Sequence, residues 1–199
     1  MRVVCVGGGP GGLYLAVLLK RADPSREVVV YERNPPDRTF GFGVVFSDAT
    51  LGNIEAADPE TYAAIAARFS HWDDIDVHVR GEVFRSTGHG FAGMGRQTLL
   101  EVLQRRCAAL GVEVHHETEI TDAAEVGPAD LVVACDGLNS RLRTQYAEHF
   151  QPTIDPRPNR FIWLGTTRRF PAFTFDFVED AHGLWRLHAY NYDRDHSTV

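Results

Sequence analysis

The stretch Arg2-Val3-Val4-Cys5-Val6-Gly7-Gly8-Gly9-Pro10-Gly11-Gly12-Leu13 decides the fold, read together with Val28-Val29-Val30-Tyr31-Glu32. Each part has a separate physical job. Two short apolar runs rich in β-branched residues read as buried strands. Gly7 permits a tight exit from the first strand, Gly9 lets backbone approach a pyrophosphate, and Gly12 lets the following helix pack closely on the sheet. The N-terminus of that helix offers N–H groups and a partial positive charge to phosphates. Glu32 lies about 20 residues beyond the last glycine, where an acid accepts hydrogen bonds from an adenosine ribose. A glycine turn with no ligand is the alternative. The placement after a strand, before a helix and with the acid in register favours the dinucleotide reading.

Composition sets the frame for that unit. The chain has 199 residues, 44% hydrophobic and 24% charged, which suits a water-soluble globular chain able to bury a core. A net charge of −7, from 20 basic and 27 acidic residues, argues against nucleic acid or an anionic membrane as partner. No apolar run approaches the roughly 20 residues that span a bilayer. The apolar N-terminus breaks at Gly7, so it reads as a strand rather than a secretion signal. The three cysteines lack Cys-x-x-Cys spacing and read as small buried hydrophobes in a reducing cytoplasm. His115 and His116 are adjacent in a strand-like segment and point to opposite faces, so no metal site is expected.

Further along, residues 2–6, a helix from about Gly11 to Arg21 and residues 27–32 make a βαβ unit. The segment Phe40-Gly41-Phe42-Gly43-Val44-Val45-Phe46 reads either as backbone lying against something flat or as a packed loop or short strand. Asp58-Pro59-Glu60 starts a helix running to about Arg68. Residues 75–80 and 82–86 form a hairpin turning at Gly81. Arg96 precedes an amphipathic helix with Leu99, Leu100, Leu103, Cys107 and Leu110 on one side, stopped by Gly111. A strand follows at 112–116. Leu131-Val132-Val133-Ala134-Cys135 has no alternation, as expected of a parallel strand covered on both faces. After Pro152 the segments 160–169, 173–178 and 183–192 are aromatic and β-branched without helices between them, which signals an antiparallel sheet.

The second chemical signal is Asp136-Gly137, placed directly after that apolar strand. Ligands of open α/β sheets bind outside the carboxyl ends of the strands. Asp136 sits there, Gly137 frees the backbone to turn, and Asn139 or Ser140 can cap the next helix. A plain turn is the alternative.

Taken together, Gly7–Gly12, Glu32-Arg33, Arg96 in Gly-Arg-Gln-Thr-Leu-Leu-Glu-Val-Leu, and Leu131–Arg143 with its Asp-Gly resemble the flavin-dependent aromatic hydroxylases, single-component FAD monooxygenases. Thr39–Asp48 and His188-Ala189-Tyr190 resemble the branch that hydroxylates salicylyl-CoA and anthraniloyl-CoA. The resemblance implies an α/β chain with a Rossmann-like FAD-binding domain (1–73 and 94–150) and an interleaved, incomplete antiparallel-sheet substrate domain (74–93 and 151–199). It also implies that Glu32 and Arg33 hold the adenosine of FAD, that Gly7, Gly9, Pro10, Gly11 and Gly12 hold the pyrophosphate, and that Arg96, Asp136 and Gly137 meet the rest. NAD(P)H would be the co-substrate, molecular oxygen the oxidant, and a small aromatic compound, with a CoA thioester as one form, the substrate. Because the cofactor carries that chemistry, no acid–base residue is singled out. His188 and Tyr190 are substrate-side candidates against a packing alternative.

The resemblance also has a gap. The family's downstream Gly-Asp motif has no counterpart, since no Gly-Asp dipeptide occurs here. The chain is therefore expected to be a portion of a longer protein, without turnover of its own. A flavin dehydrogenase that does not activate oxygen remains the competing enzyme class. An NAD-only dehydrogenase leaves Arg96 and Asp136 unexplained, and the halogenase tryptophan motif is absent. The arginines at 157, 160, 168 and 169 could meet CoA phosphates, but a solvated charged face is the simpler reading.

Overall fold

Branched side chains at Val3, Val4, Val28, Val29 and Val30 favour extended backbone, and both runs form strands. The computed structural model describes residues 1–199. Its first half runs β1 (Arg2–Val6), α1 (Pro10–Ala22), β2 (Glu27–Tyr31), β3 (Gly43–Ser47), α2 (Asp48–Ala57), α3 (Pro59–Ala66), β4 (Ser70–Trp72), β5 (Ile75–Val79), β6 (Glu82–Ser86) and β7 (Phe91–Gly95). It continues with α4 (Arg96–Ala109), β8 (Glu113–His115), β9 (Leu131–Ala134), α5 (Arg141–Gln145) and α6 (Ala147–Phe150). Four strands close it: β10 (Gly165–Thr166), β11 (Phe173–Asp180), β12 (Gly183–Asn191) and β13 (Ser197–Thr198). The chain is α/β, with a parallel sheet and separate, mainly antiparallel sheets. It divides into two compact units, residues 1–39 with 99–160 and residues 40–98 with 161–199.

The first unit holds a four-stranded parallel sheet in the order β8-β2-β1-β9. Its strand order reverses between β1 and β9, which is the topological switch point where such sheets bind ligands. Helix α1 buries Leu13, Ala16 and Val17 at helical spacing, and Lys20 and Arg21 in its last turn suit the helix dipole. Val4, Val6, Val29, Val126 and Leu142 form a buried core cluster. Two sequence expectations need correction here. Strand β9 is parallel as expected, but it is the edge strand of the sheet and its residues are half-buried or exposed rather than covered, Leu131 being 44% exposed. Cys135 falls just past that strand and is half-buried.

The second unit contains a six-stranded sheet, β10-β13-β12-β11-β5-β6, and a three-stranded sheet, β3-β7-β4. The β5–β6 hairpin turns through Arg80 and Gly81, both at positive φ (51° and 82°), the backbone that tight hairpins need. It joins the later strands in one sheet, but β11 runs parallel to β5, so that sheet is mixed rather than purely antiparallel. Buried Asp76 on β5 is held by Arg85 on β6 through two 2.6 Å hydrogen bonds. The unit also takes in residues 40–73, which the resemblance assigns to the FAD-binding domain. The cause is pairing: β3 bonds to β7, and β4 bonds to the other side of β7. Helix α2 and strands β4 and β7 were not anticipated. For α2 the signal was present in Ser47, whose hydroxyl caps the helix by accepting from Thr50 N–H at 3.3 Å.

Candidate functional site

In the first unit the carboxyl ends of β1, β2 and β9 converge on the glycine loop. Gly7 N–H donates to the Tyr31 carbonyl at 2.8 Å, and Cys135 N–H donates to the Val6 carbonyl at 2.7 Å. The glycines divide by what a side chain would meet. Gly7, at φ +111°, has no room, because a Cβ would overlap the Cys135 carbonyl. A Cβ at Gly12 would overlap the Gly7 carbonyl oxygen, so close packing of α1 on the strand exit requires glycine. At Gly8 a Cβ would come 2.7 Å from the Glu32 Cβ. Gly9 and Gly11 differ from these: a Cβ there meets nothing within 4 Å. Three glycines thus serve the fold, while two leave open space at the N-terminus of α1.

Glu32 follows β2 and turns back onto the loop. Its Oε2 accepts from Gly8 N–H at 2.7 Å, and its Oε1 accepts from the backbone and side-chain N–H groups of Asn34 at 2.8 and 2.7 Å. Arg33 points outward and is exposed. Asp136 caps α5: Oδ1 accepts from Ser140 Oγ at 2.6 Å, and Oδ2 accepts from Arg141 N–H at 2.8 Å. Ser140 is the N-cap residue, accepting from Arg143 N–H at 2.9 Å. Gly137 takes φ +89°, the turn that a residue with a side chain resists.

The thiols lie under the same loop. Cys107 donates to the Leu13 carbonyl, and burial pushes it up to about 12. Buried Cys5 is raised far above the usual thiol range, first by its hydrogen bond to Cys135 and then by desolvation. Cys135 is drawn down by the same bond, so Cys5 keeps the proton and donates it.

Arg96, His188 and Tyr190 belong to the second unit. Arg96 N–H donates to the Phe42 carbonyl at 2.7 Å, while its side-chain Nε is buried without a hydrogen-bond partner. The Phe40–Phe46 segment lies against flat groups and also forms a strand. A Cβ at Gly41 would meet the Trp163 ring, and one at Gly43 the Tyr192 side chain, while Gly43–Ser47 is β3. Tyr190 is buried, stacks on Trp72 with centroids 5.9 Å apart, and donates its hydroxyl to the Gly43 carbonyl at 3.1 Å. Desolvation pushes its hydroxyl up to about 12. His188 is exposed and lies flat on Phe175, with centroids 4.9 Å apart and planes 16° apart. Its pKa is lowered, mainly by partial desolvation among these rings and then by Arg186. The two candidates therefore differ: Tyr190 is committed to packing, and His188 presents a neutral ring at the surface.

The phosphates of a dinucleotide cofactor fit the first unit on one observation. Gly9 and Gly11 leave room at a helix N-terminus for phosphate oxygens. In the second unit, taken by itself, the buried Nε of Arg96 is a donor of the kind that a bound group satisfies.

Comparison with known proteins now places the chain. A family model described as lycopene cyclase protein matches residues 2–161. The chain belongs to that family. Among individual proteins it is 53% identical over 190 residues to a salicyloyl-CoA 5-hydroxylase of Streptomyces sp, covering 96% of this chain and 37% of that protein. It is 35% identical over 198 residues to a 3-hydroxy-4-methyl-anthranilyl-[aryl-carrier protein] 5-monooxygenase of Streptosporangium sibiricum, covering 100% of this chain and 56% of that one. In fold it matches 2-methyl-3-hydroxypyridine-5-carboxylic acid oxygenase, with a TM-score of 0.76 at 18% identity over 99% of this chain and 57% of the other. It also matches Pseudomonas aeruginosa PqsL, with a TM-score of 0.74 at 22% identity over 100% of this chain and 59% of that one. The resemblance to flavin-dependent aromatic hydroxylases holds. The chain spans about a third to just over half of the length of these relatives. None of its helices is long and apolar enough to cross a membrane.

Proposed function

We propose that this chain supplies the FAD-binding unit and part of the substrate sheet of a cytoplasmic, NAD(P)H-using monooxygenase that hydroxylates an aromatic acyl thioester. The observation that carries the reading is the 53% identity, over nearly the whole chain, to a protein named salicyloyl-CoA 5-hydroxylase. The second relative is named for an aryl group on a carrier protein, which is the other common way to present an acyl thioester. The family model's cyclase name weighs less, because identity at this level is the more specific likeness.

Bound FAD supplies hydride acceptance from a nicotinamide and activation of dioxygen. The protein's share is binding and shape. The open faces of Gly9 and Gly11 and the first N–H groups of α1 would take the pyrophosphate, with Pro10 fixing the helix start. Glu32 would accept from the adenosine ribose, and Arg33 would stand beside it. Asp136 acts through α5: it holds that helix start in place, and Gly137 turns the backbone outward at the sheet edge. In the second unit, the resemblance gives Arg96 a cofactor role, and its buried Nε is a donor still to be satisfied. On the substrate side, His188 offers an uncharged imidazole at neutral pH, able to stack or to accept a hydrogen bond, while Tyr190 holds the Gly43 backbone. With a hydroxyl pushed up to about 12, Tyr190 serves as a donor and not as a base.

Flavin absorbance of the purified full-length protein, and its NADPH oxidation coupled to product formation, test the reading. Salicyloyl-CoA should stimulate both, and free salicylate should not. A protein that carries no flavin and takes up none when FAD is added would refute it. Oxidation of NADPH with no oxygen inserted into the ring would instead mark a dehydrogenase.

A further inference from the structure

A carboxylate has about four lone-pair sites, two on each oxygen. At Glu32 the protein already uses three of them. Oε2 accepts from Gly8 N–H, and Oε1 accepts from both Asn34 N–H and Asn34 Nδ2. The amide must turn its nitrogen toward Oε1, because a carboxylate can only accept. One site is left, and it is on Oε2. Asn34 is itself held from behind. Its carbonyl accepts from Glu117 N–H at 3.3 Å and lies 3.3 Å from His116 Nδ1. Glu117 sits at φ 54°, a left-handed conformation that a non-glycine residue keeps only when its surroundings impose it. Thr118 N–H donates to the Glu32 carbonyl at 2.9 Å, closing the segment over the end of β2.

We propose that Asn34 is a positioning residue that fills Oε1 of Glu32, so that Glu32 offers an adenosine ribose a single acceptor on Oε2 and bonds one hydroxyl instead of clasping both. This rests on reading Glu32 as the ribose acceptor of a bound adenine dinucleotide. Its sequence position alone allows a two-hydroxyl clasp; the occupancy of Oε1 removes it.

The test measures the affinity of the protein, and of Asn34→Ala, for FAD and for its 2′-deoxyadenosine and 3′-deoxyadenosine forms by flavin fluorescence titration. The wild type should lose about tenfold or more with one deoxy form, as for a hydrogen bond to a charged group. With the other form it should lose less than about twofold. In Asn34→Ala, Oε1 regains a lone pair and both deoxy forms should lose affinity. Equal losses with both forms in the wild type, or no loss with either, overturn the proposal. So does an Asn34→Ala variant that melts lower yet keeps the wild-type pattern, since that marks a merely structural role. The wild-type series decides alone if Asn34→Ala does not fold. ADP with its two deoxy forms separates the readings: if FAD does not bind but ADP reproduces the one-hydroxyl pattern, the flavin assignment fails and this one stands. If no adenine nucleotide binds, both fail.

Discussion

Replacing Gly12 with alanine should lift α1 from the exit of β1, whereas the same change at Gly11 should not. Both residues lie in the first turn of α1 and both become better helix formers, a gain of up to about 1 kcal/mol each. They differ in what the new methyl meets. At Gly11 it finds open space, while at Gly12 it runs into the Gly7 carbonyl oxygen and comes 3.2 Å from the Cys135 Cβ. A backbone oxygen at a strand exit, fixed by the Gly7 N–H bond to the Tyr31 carbonyl, cannot swing aside as a side chain can. The strain therefore belongs at the upper end of the overpacking range, about 3 kcal/mol. Less the propensity gain, Gly12→Ala should lose about 2 kcal/mol, or roughly 4–8 °C of melting temperature for a chain of this size. Gly11→Ala should melt at or slightly above the wild-type temperature. Circular dichroism melts of the three proteins without added nucleotide measure this. FAD titration then asks whether Gly11→Ala, intact in fold, binds more weakly because its methyl fills the space left for phosphate. A Gly12→Ala protein melting within about 1 °C of wild type would refute the reasoning, as would a Gly11→Ala protein destabilised just as much.

Three further outcomes can be checked. Tyr190→Phe keeps the stack on Trp72 but leaves the Gly43 carbonyl without its donor, and should lower stability by about 1 kcal/mol in urea unfolding; an unchanged midpoint would mean the hydroxyl contributes nothing. The Asp76 carboxyl is held below its ordinary range, first by its hydrogen bonds to Arg85, so its stabilising contribution is full above the unfolded value near pH 4 and is lost as pH falls through the folded one. Arg85→Leu should melt lower at pH 7 and lose less on further acidification to about pH 2 than wild type; parallel curves would remove the pair from the account. Ser140→Ala should cost about 1 kcal/mol by uncapping α5, with loss of amide protection at Arg143 in hydrogen exchange as the local readout; protection unchanged at Arg143 would place the cap elsewhere.

The elements that could be read in advance share a cause. Strand β1, helix α1 and strand β2 are neighbours in sequence as well as in space, so valine runs and a glycine loop carry their signal within some 30 residues. Helix α4 and the β5–β6 hairpin are local in the same way. Helix α2 was missed although its Ser47 cap is local, because the glycine-aromatic run before it reads as loop. In the site, Gly7, Gly12 and Glu32 stood out because a fixed spacing ties them to one turn. The separate jobs of Gly7, Gly9 and Gly12 were legible too; the contact that closes Gly7 was not, since it depends on the Cys135 carbonyl arriving from more than a hundred residues away.

By itself, then, the sequence determined the α/β class, the βαβ unit at its start and the glycine-plus-acid pattern at the carboxyl edge of its sheet. Only the tertiary structure decided which strands flank that unit: β8 beside β2, β9 beside β1, and β11 parallel to β5. It also decided that residues 40–73 join the second unit, that Tyr190 spends its hydroxyl on Gly43, and that Asn34 takes one oxygen of Glu32. The physical reason is the same each time. Strand and helix propensity act over a few residues, but sheet order and the sharing of lone pairs are set by groups that meet only once the chain has closed on itself.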